Sequence, residues 1–252
     1  MKKIVLFLPL LIFAQVIKFS PLPTDTVNNL YHKYEPLLKY LSQKTGDTYK
    51  FVYSPTYKKL LENFKSGKID MMTLGALPYL RLKKEFKYIK PIITFLNKSK
   101  EPYYTCQIIT NDKDINSIHD ITSKTKVYLT NKLSTCGYLM TQYIFKKHHK
   151  TLRDYHYKYV GNHVNVVYNT TLYNNSIGDV KSSIAREYRH FIKVIDTSIH
   201  IPGFSLFINT QTVPENKIQE MIKVLHNYPN VIITPKDFYQ SIEQITQQIK
   251  VY

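Results

Sequence analysis

Hydrophobic positions in the first third of the chain switch between helical and strand-like spacing. Apolar side chains recur every three or four positions over residues 30–41 and again over 60–64, which is the spacing of one buried helix face. Short apolar runs at 16–20, 49–53 and 69–74 flank and separate these stretches. The order strand, helix, strand, helix, strand predicts a parallel sheet covered by helices.

The same alternation returns after a polar break at residues 111–114. It predicts a second α/β unit, then a strand that crosses back to the first unit, then two amphipathic helices. The predicted strands begin near residues 103, 126, 156, 179, 191 and 204, and the predicted helices near 137, 163, 214 and 236. We therefore predict an α/β protein of two lobes, with residues 16–107 and 203–252 in lobe 1 and residues 108–202 in lobe 2.

The start of the chain has the pattern of a secretory signal peptide. Lys2 and Lys3 precede the apolar stretch 4–13, and the small residue Ala14 lies near its end, as in an exported leader. The stretch is too short to span a bilayer, which takes roughly 20 apolar residues, and no other stretch approaches that length. We expect residues 1–15 to be a leader and the mature protein to reside in the periplasm.

The chain is strongly basic. It has 35 Lys+Arg against 18 Asp+Glu, a formal net charge of +17, which favours anionic ligands. The lysines are scattered, without a long basic run or a basic stripe interleaved with aromatic residues, so the charge does not indicate nucleic-acid binding. A compositional bias of the source genome explains the lysine content equally well.

The candidate chemistry lies in a small polar loop between a predicted strand and a predicted helix. The loop contains Ser134, Thr135, Cys136 and Gly137. A helix that begins there offers unpaired backbone N–H groups, two hydroxyls and the positive end of its dipole to an oxyanion. The residues alone leave open the simpler interpretation, in which Ser134 or Thr135 only caps the helix.

Short motifs along nearly the whole mature chain are similar to those of one protein family. They lie at residues 34–41, 57, 67–71, 74–75, 103–104, 134–137, 161–163, 179 and 201–203. With this order and spacing, the chain resembles the phosphate/phosphite/phosphonate periplasmic substrate-binding proteins of ABC transporters. The resemblance implies the type II periplasmic binding protein fold, in which two α/β lobes joined by two crossing strands hold one ligand in the cleft between them.

By the same resemblance, the loop at Ser134, Thr135 and Cys136 holds the phosphoryl oxygens of the ligand. Cys136 is a departure, because the family usually has a serine there and a thiol is a weaker donor than a hydroxyl.

Four further positions match the family's site. Tyr57 begins the second helix, Tyr103 lies on the crossing strand, His163 begins a later helix, and Gly75 follows a buried strand. Phenol and imidazole groups can donate to an oxyanion. The residues alone leave open that both tyrosines are packed aromatic side chains and that His163 is an ordinary residue of a helix start.

Two more departures bear on the ligand. Aminophosphonate-binding members of the family place carboxylates opposite the phosphoryl group, where they receive the ammonium of the ligand. By the resemblance, this chain has Arg186 and Phe204 at those places, and we count Arg186 among the candidate ligand-binding residues. We therefore expect an oxyanion without an amine, such as phosphate, phosphite or a simple phosphonate.

The resemblance implies a monomeric binding protein that delivers its ligand to an ABC transporter permease. The alternative is a sensor subunit that reports an oxyanion or arsenite to a membrane histidine kinase, for which Cys136 would supply a thiolate. An enzyme is not indicated, since we find no paired carboxylates, no metal-ligand spacing and no nucleotide-binding glycine motif. We expect no cofactor, no bound metal and no nucleic-acid partner.

The two cysteines, Cys106 and Cys136, give conflicting indications. An even pair in an exported protein favours a disulfide. If Tyr103 faces the cleft, however, strand alternation turns Cys106 to the opposite face, away from Cys136 in the cleft loop. On this argument we expect two free thiols.

Overall fold

The three apolar runs near the start of the chain pair side by side as parallel strands. The elements of this part are β1 (Val16–Ser20), α1 (Val27–Thr45), β2 (Thr48–Phe51), α2 (Tyr57–Lys65) and β3 (Met71–Leu74). β1 lies between β2 and β3, and both pairings are parallel, as the order of strands and helices predicts. α1 ends at Gly46, whose φ of 73° is left-handed, a conformation that glycine adopts without steric cost.

The computed structural model describes residues 14–249. Almost all of the predicted leader therefore lies outside the described residues. Within residues 14–249, no helix combines the length and the apolar character needed to cross a membrane.

The rest of the first sheet is antiparallel, which differs from the predicted parallel sheet. The further elements of this lobe are α3 (Ala76–Glu85), β4 (Ile89–Phe95), β12 (Ser205–Asn209), α7 (Glu215–Leu225), β13 (Val231–Ile233) and α8 (Gln240–Ile249). The strand order is β13-β4-β12-β3-β1-β2. β12 returns from the second lobe and enters where β3 ends, with Ser205 opposite Leu74, so it runs against β3. The sequence pattern missed β4 and the short β13.

The second lobe is a five-stranded mixed sheet. Its strands are β6 (Cys106–Thr110), β7 (Lys126–Leu129), β8 (His156–Tyr159), β9 (Ser176–Lys181) and β10 (Lys193–Thr197), in the order β10-β6-β9-β7-β8. Its helices are α4 (Thr141–Lys147), α5 (His163–Leu172) and α6 (Ser182–Glu187). Separate hydrophobic clusters cover the two faces of this sheet.

Two short crossing strands join the lobes. β5 (Tyr103–Tyr104) pairs antiparallel with β11 (Ile201–Pro202). The predicted single strand over 103–110 is thus divided at Thr105, and the predicted boundary after residue 107 falls inside β6. Gly203 follows β11 where a Cβ atom would lie 2.8 Å from the carbonyl oxygen of Pro102, so the close approach of the two crossing segments requires glycine.

A disulfide joins Cys106 to Cys136, with a Cα–Cα distance of 5.2 Å. The prediction of two free thiols is wrong. It took Tyr103 as the crossing-strand residue nearest the cleft loop, but that residue is Tyr104, which is 8% exposed against 40% for Tyr103 and bonds Thr135 of the loop. Because Cys106 follows Tyr104 by two positions, strand alternation places it on the same side as that loop. The sensor alternative loses its main support, since a cystine has no thiolate to offer.

We expect the disulfide to stabilise the fold substantially. The bonded cysteines are 30 residues apart, and closing a loop of this length contributes about 3–4 kcal/mol in the chain-entropy model. Replacing both with alanine should lower the free energy of unfolding by about that amount, measured by urea unfolding. The control is the wild-type protein unfolded with a reductant, which should show a similar loss. A change below about 1 kcal/mol in both would contradict this prediction.

Candidate functional site

A small cavity lies where the two lobes meet the crossing strands. Its volume is about 20 Å³, and it adjoins a wider cleft of about 980 Å³. Several residues line both spaces, so the cavity forms the inner end of the cleft. The polar side chains around the cavity belong to Thr24, Tyr57, Tyr104, Ser134, Thr135, His163 and Lys181.

The anion loop, which we define as residues 134–137, opens a helix at this cavity. Ser134 caps a π-helical turn, Thr135–Met140, that continues into α4. The Ser134 Oγ atom accepts a hydrogen bond from the Gly137 backbone N–H at 3.1 Å, so its own hydroxyl proton remains to be donated. A Cβ atom on Gly137 would lie 2.6 Å from the Thr130 backbone nitrogen. The loop therefore packs against β7 only because residue 137 is glycine.

Thr135 connects the anion loop to the first lobe. Its Oγ1 atom accepts a hydrogen bond from the Leu77 backbone N–H at 3.1 Å, and its hydroxyl also bonds that of Tyr104. Leu77 is in the first turn of α3, which begins after Gly75 without a side-chain cap. A Cβ atom on Gly75 would lie 3.4 Å from Thr135 Oγ1. The starts of two helices, one from each lobe, thus face each other at the cavity.

Two more helices begin at the same place. Tyr57 is the first residue of α2 and His163 is the first residue of α5, with Thr56 and Asn162 as their respective caps. Each helix directs the positive end of its dipole and its unpaired N–H groups toward its start. Four helix starts around one cavity create a site that favours negative charge.

The two basic side chains at the cavity, His163 and Lys181, both have lowered pKa values. Burial lowers the pKa of His163 to about 4, with a further contribution from Lys181, and its buried Nδ1 atom has no hydrogen-bond partner among residues 14–249. Burial, with a smaller contribution from Lys33, lowers the pKa of Lys181 to about 8. Removing these groups from water without an anion disfavours their charged forms.

Six of the eight predicted site residues line the inner cavity together. They are Tyr57, Gly75, Ser134, Thr135, Cys136 and His163. The interpretation of Ser134 as a helix cap also holds, because the same side chain caps the helix and lines the cavity. Cys136 is held in the disulfide and offers no thiol.

The structure places the other two predicted residues elsewhere. Tyr103 lines the wider cleft, with its ring 5.2 Å from that of Phe238. Arg186 is exposed on α6 and is not among the residues that line either space. In their stead, Tyr104 and Lys181 face the inner cavity.

The sequence contained a weak indication for each of the two residues that were not predicted, Tyr104 and Lys181. Tyr104 shares its strand parity with Cys106. Lys181 is the last residue of β9, and ligands of α/β folds lie beyond the carboxyl ends of strands. A charged residue at that strand end was therefore a candidate from its position alone.

The structure contains one group of potential metal ligands within residues 14–249. It consists of Cys106, Cys136 and Asp179. The two sulfur atoms are bonded to each other, so they are not available as thiolate ligands. Asp179 is fully buried and accepts a hydrogen bond from the Thr141 hydroxyl at 2.9 Å. Burial raises the pKa of this carboxyl well above its usual value.

Comparisons with known proteins agree with this arrangement. A family model for the periplasmic substrate-binding protein of ABC phosphonate transporters matches residues 19–244. The phosphate-import protein PhnD of Mycolicibacterium smegmatis is 26% identical over 130 residues, which cover 50% of this chain and 40% of that protein. The aligned part thus spans well under two thirds of that relative.

Two solved structures are similar over nearly the whole chain. The binding protein component of an ABC phosphonate transporter from Pseudomonas aeruginosa has a TM-score of 0.79 at 21% identity, covering 94% of this chain and 87% of its own. PhnD1 from Prochlorococcus marinus, in complex with methylphosphonate, has a TM-score of 0.80 at 14% identity, covering 94% and 99%. This likeness confirms the predicted two-lobe fold of periplasmic binding proteins.

We expect the His163 imidazole of the unliganded protein to remain neutral down to about pH 4. Its pKa in the folded protein lies below the ordinary value of 6.5, so the unfolded chain binds more protons between these two pH values. The contribution of His163 to stability should therefore fall as the pH falls through this window. Nitrogen-15 NMR of the imidazole measures the titration, and His163→Gln identifies its signals. A midpoint at or above 6.5 would contradict the burial argument.

Proposed function

The chain belongs to the family of periplasmic substrate-binding proteins of ABC phosphonate transporters, and we propose that it captures a small oxyanion for an ABC importer. The proposed ligand class is phosphate, phosphite or a simple phosphonate without an amine. The relatives named above import phosphate or bind methylphosphonate, which supports this class. The proposed partner is a transporter permease.

The observation that carries the proposal is the convergence of helix starts on a cavity without internal counter-charge. The anion loop supplies backbone N–H groups and the hydroxyl of Ser134, and Lys181, where the cavity joins the wider cleft, makes the surroundings more positive. No carboxylate from residues 14–249 lines the inner cavity. Hydrogen bonds to a charged partner contribute about 1.5–3 kcal/mol each, so a few such bonds suffice for tight binding.

The size and charge of the site support a compact ligand without an amine. The inner cavity of about 20 Å³ suits a small head group and leaves any substituent to the wider cleft. An ammonium group near Lys181 would meet a like charge, and none of the described residues that line the inner cavity is a carboxylate. Repulsion between like charges disfavours such a ligand.

We base the proposed binding mechanism on the contacts between the lobes. The hydrogen bond from the Leu77 N–H to Thr135 joins lobe 1 to the anion loop of lobe 2. Opening of the lobes about the crossing strands would break this bond and admit the ligand, and closure would restore it around the ligand. Export by the N-terminal leader would place a monomeric receptor in the periplasm.

The geometry supports binding in preference to catalysis. A serine and a histidine at one site resemble a nucleophile and its base, which requires a hydrogen bond between them. Here Ser134 Oγ accepts a hydrogen bond from the Gly137 N–H, which leaves its proton free, but among residues 14–249 no hydrogen bond joins it to His163, whose Nδ1 atom has no partner. The two side chains act, in our proposal, as donors to the ligand.

We expect Ser134→Ala combined with Thr135→Ala to abolish most oxyanion binding. Each lost charge-assisted bond costs about 1.5–3 kcal/mol, so affinity should fall about a hundredfold or more. Isothermal calorimetry with phosphate, phosphite and methylphosphonate measures the loss. A thermal melt without ligand verifies that the variant is folded.

The matched control replaces Thr122 and Ser123, an exposed pair in the same lobe, with alanine. This variant should bind every ligand as the wild type does. Unchanged affinity in the Ser134 and Thr135 variant would remove the anion loop from the site.

A further inference from the structure

Lys181 is a half-buried cation that lies over aromatic rings. Its Nζ atom is 4.6 Å from the ring centroid of Tyr104 and 5.4 Å from that of Phe204. Aromatic faces attract a cation through their quadrupole, but they carry no net charge. The rings therefore hold the ammonium in place without neutralising it.

No carboxylate neutralises this ammonium either. Within residues 14–249 Lys181 forms no ion pair, and the charged neighbour that affects it is another cation, Lys33. Asp179 lies two residues earlier on β9, but its raised pKa favours the neutral acid. The lowered pKa of His163 likewise keeps that ring neutral. A poorly hydrated cation beside a second cation is costly unless an anion joins it.

The polar and basic side chains are ordered from the inner cavity to the wider cleft. Ser134 and Thr135 line only the inner cavity, Lys181 lines both spaces, and Lys33 lines only the wider cleft. Lys181 is thus one of the residues at the junction through which a substituent of a head group in the inner cavity would reach the wider cleft, where Lys33 lies. The acids of the wider cleft, Asp25 and Glu101, are exposed and pair with neither lysine.

From this arrangement we infer that Lys181 selects among ligands by the charge at the end of their substituent. The preferred ligand is a phosphonate or phosphate ester whose substituent ends in a second negative group, such as a carboxylate. The ammonium of Lys181 pairs with this group, and Lys33 adds to the attraction. This inference rests on the proposed function, because it needs the phosphoryl group to occupy the anion loop.

The test uses three phosphonates of similar length that differ in the charge of the end group. They are 3-phosphonopropionate, propylphosphonate and 2-aminoethylphosphonate. Calorimetry at pH 7, below the pKa of about 8 for Lys181, should show the carboxylate compound binding about tenfold more tightly than the neutral one, as one charge-assisted bond allows. The amine compound should bind most weakly.

Variants of Lys181 should change this order. Lys181→Met should abolish the preference for the carboxylate compound, and Lys181→Glu should reverse it in favour of the amine compound. Lys158→Met, an exposed lysine on β8, is the matched control and should retain the wild-type order. Lys33→Met should keep the preference for the carboxylate compound over the neutral one but make that preference smaller.

The outcomes separate this inference from the proposed function. If methylphosphonate binds but the three compounds show no charge preference, the inference is overturned and the proposed function stands. If Lys181→Met weakens methylphosphonate as much as 3-phosphonopropionate, Lys181 serves the phosphoryl group and the inference is again overturned. If neither phosphate, phosphite nor any phosphonate binds the wild type, both fail.

Discussion

The pairing of β5 with β11 is the constraint on which the rest of the molecule depends. These two-residue strands are the only ladder between the segments that cross from lobe to lobe within residues 14–249. Their register places Tyr104 against the anion loop, and β12 enters the first sheet antiparallel immediately after the return crossing. A hydrophobic cluster that includes Cys106, Cys136 and residues of α3 and α8 packs across the same boundary. The site lies at the crossing because elements of both lobes meet there.

The electrostatics of the site follow from this convergence. A single helix start contributes typically 0.3–1 kcal/mol to the binding of a nearby negative charge, which alone gives weak affinity. Four helix starts and the hydroxyl groups act together, with Lys181 at the edge of the cavity, in a space that excludes most water, where charge interactions are stronger. Burial disfavours the charged forms of Lys181 and His163, and within residues 14–249 neither forms an ion pair that would offset this cost. Binding of the proposed anion would offset the cost for Lys181.

The sequence predicted the features that depend on local pattern. The parallel start of the first sheet and the anion loop at a helix start both follow from spacing and residue type. Six of the eight candidate residues line the same cavity in the structure. The sequence pattern did not predict the features that depend on the register of the strands. The choice between Tyr103 and Tyr104 rests on where the crossing strand breaks, which adjacent tyrosines do not reveal. The same choice decided the face assigned to Cys106, and Lys181, which lines the cavity, lies five positions before the predicted Arg186. Antiparallel β4 and β13 were missed because their pairing is set by the return of the chain from lobe 2.

The disulfide fixes the anion loop to the first residue of β6, directly beside the crossing. In the lobe opening proposed above, the loop would therefore remain attached to lobe 2 in its folded geometry, while α2 and α3 would move with lobe 1. The half of the site that the anion loop forms is preorganised without ligand, so binding of a head group to it would cost little conformational entropy. In the proposed binding mechanism, the ligand would therefore meet the rigid half-site on lobe 2 first, and lobe 1 would then close over it. In the proposed receptor, formation of the disulfide would thus be a step in preparing the half-site for its ligand.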